Sequence, residues 1–214
     1  MLNIALPKGR LGDSVYEMLS KIGYDCCQMK KNTRKLVFED VQNKLRYLLV
    51  KPSDVAIYVE KGAADIGVVG RDVLLESSAD VYDLLDLRLG ICKLAVAAKN
   101  GFVDDTRLPL RVATKYPAVS QKYYAGINRQ IEIIKLNGSI ELAPILRLSD
   151  VIVDIVETGK TLVSNNLRVF DDIETSSARL IANKSSYKFE SARIDDICAR
   201  LSVLVEENTD DKNL

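Results

Sequence analysis

The 214-residue sequence predicts an α/β fold with two parallel-sheet-containing lobes around a cleft. Three observations carry that prediction. Strand-length apolar runs alternate with segments of helical spacing; the alternation lapses near Gly90 and restarts after Asn100-Gly101; and short matching blocks stand in both halves. With 47% apolar side chains the chain can bury a substantial core.

Leu2 to Leu6 reads as a buried strand. Pro7-Lys8-Gly9-Arg10 turns into a helix in which Leu11, Val15, Met18, Leu19 and Ile22 keep helical spacing until Gly23. Extended segments follow at Leu36 to Phe38 and Leu45 to Val50, and Ser53 or Asp54 can cap a helix carrying Val55 and Val59 before Gly62. Asp65 to Gly70 is a short apolar strand with Asp72 just beyond it, where open α/β sheets place ligands. Val81 to Leu89 and Cys92 to Ala98 supply two further extended stretches. The second series comprises a strand at Arg111 to Ala113, a helix opened by Pro117 that runs through Tyr123 and Tyr124, a strand at Ile131 to Leu136 and a helix from near Glu141. Val151 to Val156 is almost wholly apolar and β-branched, as expected of a strand buried on both faces of a parallel sheet, and a helix should follow from Lys160. Ile194, Ile197, Leu201 and Leu204 stripe a C-terminal helix, and Glu206 to Leu214 reads as a solvated tail. Ala64 to Val68 and Ser149 to Val153 each end a helix and open an apolar strand, an echo consistent with two similar lobes.

Composition removes several chemistries. The chain has no histidine, which excludes Ser-His-Asp and Cys-His nucleophile systems, H-E-x-x-H metal helices and imidazole proton shuttles. Lys+Arg and Asp+Glu both number 30, so no global field gathers nucleic acid or anionic lipid, and any anion site must be local. Cys26, Cys27, Cys92 and Cys198 include no C-x-x-C pair and read as reduced thiols rather than a metal cluster. The apolar run at Met1 to Leu6 meets Lys8 and Arg10 too soon for a signal or membrane segment, which predicts a cytoplasmic chain with neither nucleic acid nor membrane as partner.

The most informative stretch is Asp154-Ile155-Val156-Glu157-Thr158-Gly159-Lys160-Thr161, between a buried strand and a helix. Backbone N–H groups there can converge on a phosphate, Gly159 permits close approach, and Thr158 and Thr161 can donate hydroxyl hydrogens. Asp154 and Glu157 would repel a phosphate beside them; their carboxylates suit ribose hydroxyls or a bound Mg²⁺, which favours a sugar phosphate. Neither G-x-x-x-x-G-K-[ST] nor G-x-G-x-x-G occurs. Lys8, Gly9 and Arg10, with Arg34, Lys35, Lys51 and Arg71, flank predicted strand ends and could line one anionic cleft.

Leu6-Pro7-Lys8-Gly9-Arg10-Leu11, Asp65 to Leu74, Val112-Ala113-Thr114-Lys115-Tyr116-Pro117, Gly138 to Pro144 and Asp150 to Leu162 together resemble the ATP phosphoribosyltransferases of histidine biosynthesis, in the family's order. The resemblance implies two lobes similar to type II periplasmic binding proteins, with residues 1–90 plus 170–214 as lobe I and 91–169 as an inserted lobe II carrying the 5-phosphoribosyl loop. It implies a reaction that joins N1 of ATP to C1 of 5-phosphoribosyl 1-pyrophosphate with inversion, using substrate-bound Mg²⁺ and releasing pyrophosphate. By the same resemblance Asp154, Glu157, Thr158, Gly159, Lys160 and Thr161 hold the phosphoribosyl group. Lys8, Arg10, Arg34 and Lys51 face the pyrophosphate and nucleotide phosphates, while Gly70, Asp72 and Glu141 shape the nucleotide side. The length resembles that of the family's short form, which implies a regulatory subunit similar to histidyl-tRNA synthetase in a hetero-oligomer. The chain departs from the family at Lys51, usually arginine, at Ala56-Ile57, usually Pro-Thr, and at Leu146-Arg147, usually a small pair ending in glycine. A two-lobed small-molecule binding module and a type I phosphoribosyltransferase acting on a free base are the alternative readings.

Overall fold

The computed structural model describes residues 1–26, 29 and 34–210, with side chains through 207. In chain order the first elements are β1 (Leu2–Pro7), α1 (Arg10–Lys21), β2 (Val37–Asp40), β3 (Leu45–Val50), a 3-10 turn (Pro52–Asp54) running into α2 (Val55–Glu60), β4 (Ile66–Gly70), α3 (Arg71–Ser77) and β5 (Tyr82–Asp86). Then come β6 (Cys92–Lys99), β7 (Leu110–Thr114), α4 (Pro117–Gly126), β8 (Ile131–Lys135), α5 (Leu142–Ile145), β9 (Val151–Val156), α6 (Lys160–Ser164), β10 (Leu167–Ser176), β11 (Ala178–Ala182) and α7 (Lys184–Asp210). The chain divides into one unit of Met1–Gly90 with Ser177–Leu214 and another of Ile91–Ser176. The reading that returned the chain near residue 170 is displaced to Ser177, because β10 pairs with β6 from Leu167 opposite Lys99 to Ser176 opposite Cys92.

The first unit has a six-stranded sheet in the order β2-β3-β1-β4-β11-β5. Alternation along β1 sends Leu2, Ile4 and Leu6 to one face. There they pack with Val15, Met18 and Leu19 of α1 and Ile194, Ile197 and Leu201 of α7. Ala5, Val69 and Ile181 bury the other face against Val55 and Val59 of α2. The second unit has a five-stranded sheet in the order β10-β6-β9-β7-β8, with Ala97, Ala113, Ile140, Ala143, Ile152, Leu162 and Leu167 in its core.

Both sheets are mixed, and each contains a parallel run of three strands, as the sequence predicts. β3, β1 and β4 run parallel, as do β8, β7 and β9, whereas β2, β11 and β5 in one sheet and β6 and β10 in the other are antiparallel to their neighbours. β9 is buried between one parallel and one antiparallel partner, so its apolar run reports burial and not strand direction. Near Glu141 the helix is only four residues long, and at the C-terminus α7 extends through Asp210, into the segment read as tail. Asp54 precedes α2 without a side-chain capping bond. Cys26, Cys92 and Cys198 are free thiols; Cys27 lies outside the described residues. No helix among the described residues is long and apolar enough to cross a membrane.

The sequence echo has a structural counterpart. Asp65 donates its N–H to Asn3 O at 2.9 Å and accepts the Asn3 N–H on Oδ2 at 2.7 Å, joining the starts of β4 and β1. Asp150 repeats this with Arg111, at 2.9 Å and 3.0 Å, joining the starts of β9 and β7. In each unit an aspartate thus fixes the register of two parallel strands, and with it the positions of their far ends.

Candidate active site

In the second unit, β7 and β9 run side by side with Thr114 opposite Val153, so the residues that follow leave the sheet at one edge. A pocket of ≈ 230 Å³ opens there, lined by Glu141, Asp154, Ile155, Val156, Glu157, Thr158, Gly159 and Thr161 above a floor of Ala95, Ala97, Ile152 and Leu162. β6 places small alanines opposite β9 at this floor, Ala95 against Asp154 and Ala97 against Ile152. The chain turns through Gly159 at φ 70°, ψ −2°, a left-handed conformation that costs other residues about 1–2 kcal/mol, and enters α6. Thr158 and Thr161 are exposed, and Lys160 is not among the lining residues.

Asp154 is the electrostatic centre of this pocket. Its Oδ1 accepts the Ile155 N–H at 2.8 Å and lies 3.5 Å from Lys115 Nζ. Burial raises its carboxyl pKa above the ordinary range; Lys115 and the Ile155 N–H oppose that shift, and Glu141 adds to it. Glu141, grouped with the nucleotide residues by resemblance, is therefore found on the Asp154 pocket. Lys115 and Thr114 are residues the sequence reading did not single out, although both lie in the motif Val112 to Pro117. Thr114 is fully buried; its hydroxyl donates to Val153 O at 2.6 Å and accepts the Tyr116 N–H at 2.8 Å, fixing the chain on both sides of Lys115.

The remaining candidates stand in the first unit. β3, β1 and β4 are parallel and end at Val50, Pro7 and Gly70, so Lys51, Lys8 and Asp72 leave the sheet along one edge. The Lys8 N–H bonds Val50 O at 2.8 Å, which holds Lys8 beside the residue that precedes Lys51. β2 runs antiparallel to β3, and Leu36 O accepts the Leu49 N–H at 2.8 Å, so Arg34 approaches the same edge. Arg10 opens α1 above β1. Lys8, Arg10, Arg34 and Lys51 are exposed, whereas Asp72 is buried. A Cβ added to Gly70 would sit 2.2 Å from Asp72 Oδ1, so the glycine is what lets that carboxylate fold back over the strand end. Lys8, Arg10, Arg34, Lys51, Gly70 and Asp72 are thus collected by one sheet edge.

Arg147, a departure from the family pattern, has φ 60°, where glycine is the usual residue. Its carbonyl accepts from Arg111 Nη1 at 3.1 Å near the start of β9, and it does not line the Asp154 pocket. Ala56 is buried in α2 and Ile57 is exposed; nothing in the structure explains the change from Pro-Thr.

Residues 51–203 match the HisG family model, ATP phosphoribosyltransferase. An ATP phosphoribosyltransferase of Brachyspira hyodysenteriae is 60% identical over 92% of this chain and 96% of its own length. One of Clostridium acetobutylicum is 47% identical over 97% of each. Among solved structures, the ATP phosphoribosyl transferase (HisG:HisZ) complex from Thermotoga maritima aligns with a TM-score of 0.85 and 35% identity over 97% of this chain and 100% of that one. The periplasmic aliphatic sulphonate binding protein SsuA from Escherichia coli shares the fold at TM-score 0.61 and 14% identity, over 99% of this chain and 70% of that one. These matches, spread over nearly the whole length, agree with a two-lobed architecture of the type II periplasmic-binding-protein kind, and the chain belongs to the ATP phosphoribosyltransferase family.

Proposed function

We propose that the chain transfers the 5-phosphoribosyl group of phosphoribosyl pyrophosphate to N1 of ATP, releasing pyrophosphate, as the first step of histidine biosynthesis. The observation that carries this reading is the Asp154–Thr161 pocket, which sets carboxylates, hydroxyls and a glycine turn at one strand end in a chain of this family. In this reading Thr158, Gly159, Lys160 and Thr161 hold the 5-phosphate by hydroxyl and backbone donors, and Asp154 and Glu157 accept from the ribose hydroxyls. Lys8, Arg10, Arg34 and Lys51 face the pyrophosphate and nucleotide phosphates, with Gly70 and Asp72 shaping that edge and Glu141 the ribose pocket.

The absence of histidine fits this chemistry. Adenine N1 carries a lone pair at neutral pH, so its attack needs no general base; the barrier lies in expelling a highly charged pyrophosphate from an oxocarbenium-like C1. Positioned cations meet the leaving charge, and a carboxylate beside the ribose meets the developing positive charge. Mg²⁺ in this reading travels with the substrate, where it would add positive charge at the departing pyrophosphate. The partner in this reading is a regulatory subunit similar to histidyl-tRNA synthetase, forming a cytoplasmic hetero-oligomer. Support comes from the Thermotoga maritima HisG:HisZ complex.

The test is pyrophosphate release from ATP and phosphoribosyl pyrophosphate, with and without that subunit. Release that requires both substrates is the expected result, and none from folded protein under either condition overturns the assignment. Lys51→Arg is expected to raise turnover about 3- to 10-fold, because a guanidinium fork holds two phosphate oxygens where an ammonium acts as a point charge. An unchanged or lower kcat would remove Lys51 from the leaving-group site.

A further inference from the structure

Lys115 is held in place from both directions along the chain. Thr114 is bonded to β9 and to the Tyr116 N–H, while Tyr116 is buried and its carbonyl accepts both the N–H and the hydroxyl of Ser120 in α4. The Lys115 ammonium lies 4.9 Å from the centroid of the Tyr116 ring and 3.5 Å from Asp154 Oδ1. It lies outside the lining of the ribose-side pocket, whereas Asp154 and Glu141 belong to it. Oδ1 of Asp154 accepts the Ile155 N–H and is the carboxylate oxygen paired with the Lys115 ammonium, and among the described residues Oδ2 accepts no hydrogen bond. The two oxygens are therefore divided, one bound to protein and the other available to a ligand.

We propose that Lys115 is a positioning residue for phosphoribosyl transfer. It grips Asp154 Oδ1 from outside the pocket, keeps the carboxylate ionised and leaves Oδ2 to accept from a ribose hydroxyl. The inference rests on the reading of this pocket as the phosphoribosyl site.

The charges around Asp154 explain the need for such a group. β6 contributes uncharged Ala95 opposite it and Lys93 two residues away, whose ammonium pairs with Asp172 at 2.5 Å. Glu141 precedes α5 on the pocket wall, and the loop adds Glu157. Burial and Glu141 favour the protonated acid, and a protonated Asp154 would offer a neutral, weaker acceptor to the sugar. β7 supplies the compensating cation at the strand end.

The expected result for Lys115→Met is a fall of about 10-fold in kcat/KM for phosphoribosyl pyrophosphate at pH 7, with the acid limb of the profile moved to higher pH and KM for ATP unchanged. Lys115→Arg should restore most of the loss, and in the Asp154→Asn background Lys115→Met should have no further effect. Carboxyl ¹³C NMR of aspartate-labelled protein gives a readout that needs no turnover: the Asp154 resonance should titrate at higher pH in Lys115→Met than in wild type. An unmoved resonance, an unmoved acid limb, or equal losses in Lys115→Met and Lys115→Arg would overturn the proposal. Wild-type protein that releases no pyrophosphate with its partner subunit would fail the functional reading alone, and the carboxyl titration would still decide whether Lys115 governs Asp154.

Discussion

Gly12→Ala is expected to destabilise the protein by about 3 kcal/mol or more, although the same exchange favours an isolated helix by about 1 kcal/mol. Gly12 lies in the first turns of α1 and is buried; a Cβ built on it would stand 1.8 Å from the carbonyl oxygen of Pro7 at the end of β1. That atom is backbone, so no rotamer change relieves the clash, and α1 would have to lift from the strand end. Lifting it would also move Lys8, Gly9 and Arg10, which connect β1 to α1, so activity should fall with stability. Gly126, at the end of α4, provides the control: no atom lies within 4 Å of its added Cβ, and Gly126→Ala should be neutral or stabilising by a few tenths of a kcal/mol to about 1. Urea midpoints at unchanged slope measure both. If the two variants lie within about 0.5 kcal/mol of each other, the close approach of α1 to β1 is wrong.

Why sequence reading found some elements and not others follows from where each element gets its stability. β1, β3, β4 and β9 are central strands whose buried residues are apolar as written, so composition alone marks them. β10 carries Asp171, Asp172 and Glu174 among Val169 and Phe170, is exposed along most of its length and lies at the sheet edge. It is a strand because β6 pairs with it, which is a tertiary fact with no local signature. α3 is inconspicuous for another reason: Gly70 and Asp72 read as a ligand-bearing strand end, and the helix that begins at Arg71 spans only seven residues. Strand polarity was illegible as well, since a buried strand has the same composition whichever way its neighbour runs.

The site divides in the same way. Asp154, Glu157, Thr158, Gly159 and Thr161 fall within one stretch of eight residues, so one motif exposes them together, and the structure gathers all five around one pocket. Lys8, Arg34, Lys51 and Asp72 are scattered in sequence, and the parallel run of β3, β1 and β4 is what brings their strand ends to a common edge. Lys115 meets Asp154 through the β7–β9 register, across 39 residues of chain, with Thr114 opposite Val153. No local spacing rule links residues so far apart; the available signal was only a lysine one position past a predicted strand, inside a motif already noted.

Asp154→Asn is expected to separate stability from activity. The substitution keeps the shape of the side chain and removes its charge, so the ribose loses an ionised acceptor and the oxocarbenium-like centre loses a nearby negative charge. A loss of about 10²-fold in kcat/KM for phosphoribosyl pyrophosphate is expected. Stability should move the other way. The folded state raises the Asp154 pKa above its ordinary 3.8, chiefly by burial, so folding costs nothing at this site while both states are protonated. As pH rises from the ordinary carboxylate range through the raised folded-state value, the unfolded state ionises first and stability is lost; above that window the penalty is complete. Asparagine does not ionise and escapes it, while Lys115, left without its carboxylate, remains partly solvated over the Tyr116 ring. Thermal unfolding should therefore show Asp154→Asn at least as stable as wild type at pH 7, with any advantage vanishing below pH 3.8. A variant that is less stable than wild type at pH 7 would mean that the Lys115 pair outweighs the desolvation of Asp154. One that keeps full activity would place the ribose elsewhere. The expected combination, greater or equal stability with lost catalysis, is the signature of a carboxylate retained for its chemistry at the expense of folding.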